Sequence, residues 1–301
     1  MTAPKLTVAG GVATLSFPAR AALVPAAPDA RHRLPRGPVC DCGAMVDELV
    51  HYDVVGGTAT ITLDSPYNRN ALSAQLRREL SESLDKAVAD DAVRVVLLTH
   101  TGPVFCAGMD LKEARGAGAG DQGVNEFPKI LERLWTSPKP VVARLAGPAR
   151  AGGIGMVAAC DIAIAVPEAT FAFSEVRIGV VPAVISLTVL PRLNPRAAHE
   201  LFLTGDVFDA RRAVEIGLLN AAVPAAELDE TVQRYLKSLT LGGPKALAAT
   251  KTLLSKPRPA TPSEGFAAMN ELSAGFFASE EGQEGILAFA QKRKPNWVPE
   301  D

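Results

Sequence analysis

Apolar residues at Leu72, Leu76, Leu80, Leu84 and Val88 recur every fourth position with Arg and Glu between them. That spacing lays one apolar stripe along a helix, and Ser73 stands where an N-cap belongs. Upstream, a regular pattern from Val50, broken at Gly56-Gly57, predicts a strand hairpin. Two apolar runs, Val93 to Thr99 and Val141 to Ala146, predict buried strands, as do Asp161 to Val166 and the shorter Thr170 to Phe173. Between these strands the pattern predicts a helix over Val124 to Trp135, with Val124, Phe127, Ile130, Leu131 and Leu134 on one side, and a short apolar helix from about Gly153 to Ala159. ARGAGAGDQG, residues 114–123, reads as a flexible loop. A strand, strand, helix unit used more than once predicts a stacked α/β arrangement with buried strands. Beyond Pro195 the chain turns mostly helical, with segments near 195–203, 209–216, 225–240, 243–255 and 262–290. Such a tail commonly packs on the core or on another subunit.

Residues 1–44 break the pattern. Ala, Pro and Arg are frequent and no helical or strand period lasts, which predicts a flexible N-terminal extension. Arg20, Arg31, Arg33 and Arg36 among few acids loosely suit a transit peptide, whereas scarce Ser and the lack of a clear amphipathic face do not. The plainer reading is an extension ahead of a globular region that begins at Met45. The expected division is therefore 1–44, an α/β core over 45–242 and a helical region over 243–301. Inside the extension, VAGGVATLSF (Val8 to Phe17) echoes VVGGTATITL (Val54 to Leu63) at an offset of 46. Either common hairpin chemistry repeats by chance, or this piece imitates the first hairpin or pairs beside it.

At 301 residues and 48% hydrophobic composition the chain can bury one large core or two smaller ones. A formal charge of −2 and a pI near 6.1 provide no basic field, which argues against nucleic acid as a partner. The longest apolar stretches are interrupted well before the roughly 20 residues a membrane helix needs. Four cysteines, Cys40, Cys42, Cys106 and Cys160, make no disulfide framework and fit a reducing compartment, hence a cytoplasmic location. Cys40 and Cys42 form a C-x-C pair without a second pair nearby, so no metal site is expected.

The candidate chemistry lies in two glycine-bearing turns, FCAGMDLKE (Phe105 to Glu113) and GPARAGGIG (Gly147 to Gly155). Each follows an apolar strand and leads toward a helix start. Two such turns can aim main-chain N–H groups at one point, as an oxyanion hole does when a carbonyl gains negative charge.

With these turns, SPYNRNALS (Ser65 to Ser73), CDIAIA (Cys160 to Ala165), SEVRIGVVP, LTGDVFDARRAVEIGLLNAAVP (Leu201 to Pro224) and FAQKRKPNW (Phe289 to Trp297) stand in one order. In this the chain resembles the crotonase, or enoyl-CoA hydratase/isomerase, superfamily from about residue 48 onward. The resemblance implies an α/β fold, a spiral of ββα units with a C-terminal helical region that builds homotrimers or homohexamers. It implies acyl-CoA thioester substrates, with no cofactor beyond the coenzyme A of the substrate. By matching positions, the main-chain N–H groups of Met109 and Gly152 are the two oxyanion donors. Met109, Asp110, Leu111 and Lys112 form the acyl-CoA contact stretch. Asp110 also fits an N-cap, and Lys112 equally a solvated helix lysine. Lys292, with Arg293 and Lys294, matches a phosphate-contacting basic end that reaches the CoA of a neighbouring subunit, or simply complements a helix dipole.

Hydratases of this family hold the attacking water between two glutamates. Here the first position is Gly155 and the second is Glu175. By pattern alone Glu175 reads as a surface carboxylate pairing with Arg177. By resemblance it is the catalytic acid, with a pKa raised by apolar neighbours such as Phe173, Val176 and Ile178. A single acid can mediate hydration of a 2-enoyl-CoA, or carry a proton between two carbons as a 3-enoyl to 2-enoyl-CoA isomerase. Gly155 also leaves open a non-catalytic acyl-CoA binder. EVRIGVVPAVIS is most similar to the methylglutaconyl-CoA hydratase-like branch, which puts hydration first. The acid position of dehalogenase and hydrolase relatives is Ala183, which weakens those chemistries. No G-x-S-x-G elbow is present, and His32, His51, His100 and His199 lie outside the turns. The Gly116, Gly118, Gly120 run lacks the context of a dinucleotide site, and Cys106 reads as a small packing residue.

Overall fold

The computed structural model describes residues 5–9, 12–16, 47–114, 126–255 and 261–299. The expected flexible loop, apart from Ala114, and its glycine run lie outside the described residues, as do Val124, the Cys40–Cys42 pair and residues 17–44. The chain divides into two compact units, Met1–Val46 and Asp47–Asp301.

In the first unit, strand β1 (Lys5–Ala9) pairs antiparallel with β2 (Val12–Ser16), Ala9 standing opposite Val12 and Lys5 opposite Ser16. In the second unit β3 (Val50–Val55) pairs with β4 (Thr58–Leu63), Val55 opposite Thr58 and His51 opposite Thr62. The sequence echo therefore extends to strand register, and the N-terminal piece does imitate the first hairpin.

Alternation on β4 buries Ala59, Ile61 and Leu63. Helix α1 (Ala74–Ala89) starts at Ser73, whose side chain accepts from the Leu76 amide at 3.3 Å, and its stripe buries Leu76, Leu80 and Leu84. The stripe's last member, Val88, is exposed because four-residue steps overrun the 3.6-residue turn, and Ala87 takes the core-facing place. There follow β5 (Val95–His100), the four-residue α2 (Leu111–Ala114), α3 (Phe127–Thr136), β6 (Val141–Leu145), β7 (Ala149–Arg150) and α4 (Gly152–Ala159). Next come β8 (Ile162–Ala165), β9 (Thr170–Ala172), a 3-10 turn over Ser174–Ile178, α5 (Ala183–Val189), α6 (Pro195–Thr204), β10 (Phe208–Asp209), α7 (Ala210–Glu215) and β11 (Ala221–Ala222). The helical end comprises α8 (Ala225–Thr240), α9 (Pro244–Ser255), α10 (Pro262–Ala278) and α11 (Glu280–Gln291). The expected 262–290 segment is thus two helices. Ser279 is extended and its hydroxyl accepts from the Gly282 amide, so it stops one helix and caps the next. Helix α5 has no counterpart among the expected elements.

The large sheet runs in the order β11-β8-β6-β5-β4-β3, parallel except for β3 against β4, and a smaller sheet runs β10-β9-β7. Each turn of the chain places one strand in the large sheet, a short strand in the small one, and then a helix: β6-β7-α4 is one such unit. β5 enters the small sheet only through the bridge between Cys106 and Ala149. This is the expected spiral of ββα units with its helical end. Both faces of the large sheet are covered, so its central strands are mostly apolar, as buried parallel strands are, with Thr99, His100 and Arg144 as polar exceptions near their C-terminal ends. Among the described residues no helix is long and apolar enough to cross a membrane, and no group of three potential metal ligands occurs.

Candidate functional site

Both glycine turns rise from the C-terminal ends of neighbouring parallel strands, the first after β5 and the second after β6. A scaffold of short hydrogen bonds shapes the first turn. Asn70, fully buried and left-handed at φ 52°, accepts from the Ser65 amide (2.6 Å) and donates to the carbonyls of Thr101 (3.1 Å) and Val104 (2.7 Å). The Ala107 amide donates to Arg69 (3.0 Å) and the Leu72 amide to Gly108 (2.8 Å), so SPYNRNALS is the cradle of this turn. Beneath it the buried Arg77 donates to the Leu72 carbonyl and faces Glu126 at 3.5 Å.

The second turn presses against the first. The Arg150 amide donates to Cys106 (3.0 Å) and the Phe105 amide to Pro148 (3.0 Å). Gly108 has φ +89°, and a β-carbon there would lie 3.1 Å from Ala151 Cβ and 3.7 Å from the Gly152 nitrogen, so only glycine brings the two turns this close. Ala151 is itself held at φ 46°, ψ −117°, a conformation natural to glycine, and it forms the N-cap of α4. Its carbonyl accepts from Ile154 (2.9 Å) and Gly155 (3.2 Å), which leaves the first amides of the helix to face the turn. Among the described residues neither the Met109 nor the Gly152 amide donates to a protein acceptor. Gly152 also sits under an apolar wall: a β-carbon there would come within 2.9 Å of Leu72 and 3.1 Å of Phe127.

Glu175 lies on the 3-10 turn that follows β9 of the small sheet. Strand β9 pairs with β7, and the Ala151 amide donates to the Ala172 carbonyl at 3.2 Å, three residues before Glu175. At the ordinary reach of a chain that span is at most about 11 Å. Glu175 Oε2 is buried and has no hydrogen-bond partner, and burial raises the carboxyl's pKa above the ordinary range, outweighing the bond from its own amide. Arg177 points elsewhere, to Asp206 at 2.5 Å, so the surface pair of Glu175 with Arg177 does not form. Of the expected apolar neighbours Phe173 is buried, whereas Ile178 is 59% exposed.

There is no room for a side chain at position 155. A β-carbon at Gly155 would meet Ile185 Cγ2 at 2.6 Å and Leu131 at 3.5 Å, and Ile185 is supplied by α5, the helix absent from the expected elements. Asp110 Oδ1 accepts from the Lys112 amide (2.9 Å) and Oδ2 from Asn68 (3.3 Å), which starts α2. Leu111 and Lys112 are exposed beside this start. Cys106 is buried, its pKa pushed up to about 12 by that burial, and its sulfur accepts from the Gly108 amide, so it packs rather than attacks.

Lys292 is not brought to these groups. It closes α11 in a left-handed C-cap, and the tail beyond it is pinned at the opposite end of the large sheet. There Arg94, just before β5, donates to the Trp297 carbonyl (3.2 Å), and Pro299 lies against Gly57, just before β4. Sequence reasoning assigned no role to Asn70, Arg77 or Ala151, and set His100 aside although it lies against both turns. A polar residue ending an otherwise apolar strand is the signal His100 carried, whereas Arg77, set among the polar residues of α1, and a positive φ at an alanine leave none.

Residues 54–300 match the Enoyl-CoA hydratase/isomerase family. The chain is 34% identical over 248 residues to the enoyl-CoA hydratase domain-containing protein 3, mitochondrial, of Rattus norvegicus, covering 80% of this chain and 81% of that one. It is 32% identical over 260 residues to the carnitinyl-CoA dehydratase of Proteus mirabilis, covering 84% and 99%. The crystal structure of an enoyl-CoA hydratase from Mycobacterium avium superposes with a TM-score of 0.64 at 45% identity, covering 83% of this chain and 99% of that one. This chain belongs to the enoyl-CoA hydratase/isomerase family, with the crotonase fold.

Proposed function

We propose that the protein is an enoyl-CoA hydratase. The amides of Met109 and Gly152 receive the thioester carbonyl of a 2-enoyl-CoA, with the N-terminus of α4 adding its dipole. The Glu175 carboxylate takes a proton from water as the water oxygen bonds to the β-carbon, and the electron pair of the double bond moves onto the thioester as an enolate. The same carboxyl then returns the proton to the α-carbon, completing a syn addition. The single observation that carries this reading is the buried, unpartnered Oε2 of Glu175, on the 3-10 turn just after the strand tied to the start of α4. A carboxylate without a protein partner can hold water or a substrate proton, and its raised pKa favours proton exchange near neutrality. The similarity of EVRIGVVPAVIS to the methylglutaconyl-CoA hydratase-like branch supports hydration. Coenzyme A enters as part of the substrate, with Asp110, Leu111 and Lys112 beside the acyl-CoA path.

A second reading, 3-enoyl to 2-enoyl-CoA isomerisation, is favoured by Ile185 filling the place of the other acid, since one carboxyl suffices to move a proton between carbons. Crotonyl-CoA and a 3-enoyl-CoA supplied separately, the latter in heavy water, separate the two. Formation of the 3-hydroxyacyl ester supports hydration, and turnover of only the 3-enoyl ester discards it. Loss of both reactions in Glu175→Gln assigns the proton carrier, whereas tight acyl-CoA binding without turnover of either ester leaves a binder.

Assembly as a homotrimer, or two trimers paired, accords with the apolar surface of α10 and α11, where Phe266 (77%), Phe277 (65%) and Phe289 (86%) are exposed. A groove of about 460 Å³ lined by Phe276, Ile286 and Trp297 opens on the same helices. In such an assembly Lys292 serves the CoA of a neighbouring subunit. A cytoplasmic, reducing setting accords with the free thiols of Cys106 and Cys160.

A further inference from the structure

We infer that His100 sets the spacing of the two amides that receive the thioester oxygen. Strands β5 and β6 are paired through Leu98 and Ala143, and beyond that point their main chains no longer pair with each other in the sheet. Thr99 Oγ1 still reaches the Arg144 carbonyl at 3.4 Å, and the next link is the imidazole of His100. Its Nε2 accepts from the Ala146 amide at 3.0 Å, and its Nδ1 lies 3.1 Å from the Thr101 carbonyl. An amide donates to the one nitrogen and a carbonyl must accept from the other, so the ring is neutral with its proton on Nδ1.

His100 is 7% exposed, and its ring meets Phe105 edge to face at 5.5 Å and 84°. It therefore binds the base of the second turn through Ala146 and packs on the first residue of the first turn. The links beyond it, Phe105 to Pro148 and Arg150 to Cys106, are main chain to main chain and lead directly to Gly108 and Ala151. His100 is the side-chain rung that starts this ladder where the strands part. Buried behind the two turns and acting through Ala146 and Phe105, it is a positioning residue. This role rests on the proposed oxyanion site, and the test is built to tell the failure of one from the failure of the other.

The test is the carbonyl stretch of butyryl-CoA, labelled with ¹³C at the thioester, bound to the full chain. This saturated probe reports polarisation whichever reaction the enzyme performs. In the wild type the stretch moves to lower frequency on binding. In His100→Leu, which keeps the volume and removes both hydrogen bonds, most of that shift is lost while affinity stays within about threefold, and kcat for crotonyl-CoA falls on the order of tenfold or more with little change in KM. His100→Gln, which can accept from Ala146, restores the shift and most of kcat. A normal wild-type shift that survives in His100→Leu overturns the role of His100 alone; no shift in the wild type removes the oxyanion reading and this role with it. Should His100→Leu fail to fold, ¹⁵N NMR of the wild-type imidazole decides: a protonated Nε2 overturns the proposal, and an unprotonated Nε2 with His100→Gln active supports it.

Discussion

The amide of Ala151 donates to the carbonyl of Ala172 at 3.2 Å, and through that bond the strand leading to Glu175 is tied to the first turn of α4. The residue that makes the bond is also the strained one, and the residue after it, Gly152, opens α4. Glu175 and Gly152 are therefore linked through one short stretch of main chain rather than through a flexible side chain.

Glu175→Gln is expected to lower kcat by about 10²- to 10⁴-fold, the usual worth of a positioned acid or base. It should also change stability in a pH-dependent way. Burial raises the folded pKa above the ordinary 4.5, so the group's contribution to stability is fully present below pH 4.5 and is lost as pH rises through the folded value. The variant escapes that loss. Melting curves should show it more stable than wild type at neutral pH, with the advantage shrinking toward pH 4.5; an advantage independent of pH would contradict a raised carboxyl.

Gly152→Val places side-chain atoms where Leu72 and Phe127 already stand, within 2.9 and 3.1 Å of the first added carbon. Loss of one donor of this kind costs about 10²- to 10³-fold in kcat. Ala151→Gly acts in the opposite sense, relieving a left-handed alanine whose strain is about 1–3 kcal/mol, partly offset by the greater freedom of glycine in the unfolded chain. A net gain of about 1 kcal/mol corresponds to roughly 2–4 °C in Tm. An unchanged or lower Tm would show that alanine is not strained there.

Gly155→Glu restores the missing family carboxylate in composition but not in space, since Ile185 Cγ2 lies 2.6 Å from the position of its first carbon. Overpacking of this kind costs about 1–3 kcal/mol. The single variant should be destabilised and no faster, and Gly155→Glu with Ile185→Ala should regain Tm. The difference between single and double variants, measured by thermal unfolding, reads the contact directly.

Lys251 on α9 pairs with Asp161 at 2.8 Å and donates to the Leu134 carbonyl at 3.0 Å, only 11% of its side chain remaining exposed. It fastens the helical end to the C-terminus of α3 and the start of β8. Lys251→Met keeps the stem and removes the charge, and is expected to cost about 1.5–3 kcal/mol. Crotonyl-CoA turnover per folded molecule should be unaffected.

The order of most strands and helices and the two glycine turns were legible in the sequence because each is written locally. Apolar periodicity marks an element, and glycine marks a close approach of main chain. The apolar period could not show that the segment after Pro182 is helical, nor that 262–290 breaks at Ser279, because a seven-residue helix is too short for a period and a serine cap resembles any exposed serine.

By itself the sequence determined the family, the positions of Met109, Gly152 and Glu175, and the absence of a carboxylate at 155. Only the tertiary structure decided that Arg177 pairs with Asp206 and not with Glu175, that Ile185 fills the space beside Gly155, that the tail bearing Lys292 is anchored at the far end of the sheet, and that His100 spans the gap between the two turns. Each depends on a contact between residues about 30 or more positions apart, such as Arg177 with Asp206, Gly155 with Ile185, Arg94 with Trp297 and His100 with Ala146. No local pattern encodes them, because they follow from how twisted strands and helices fill one core.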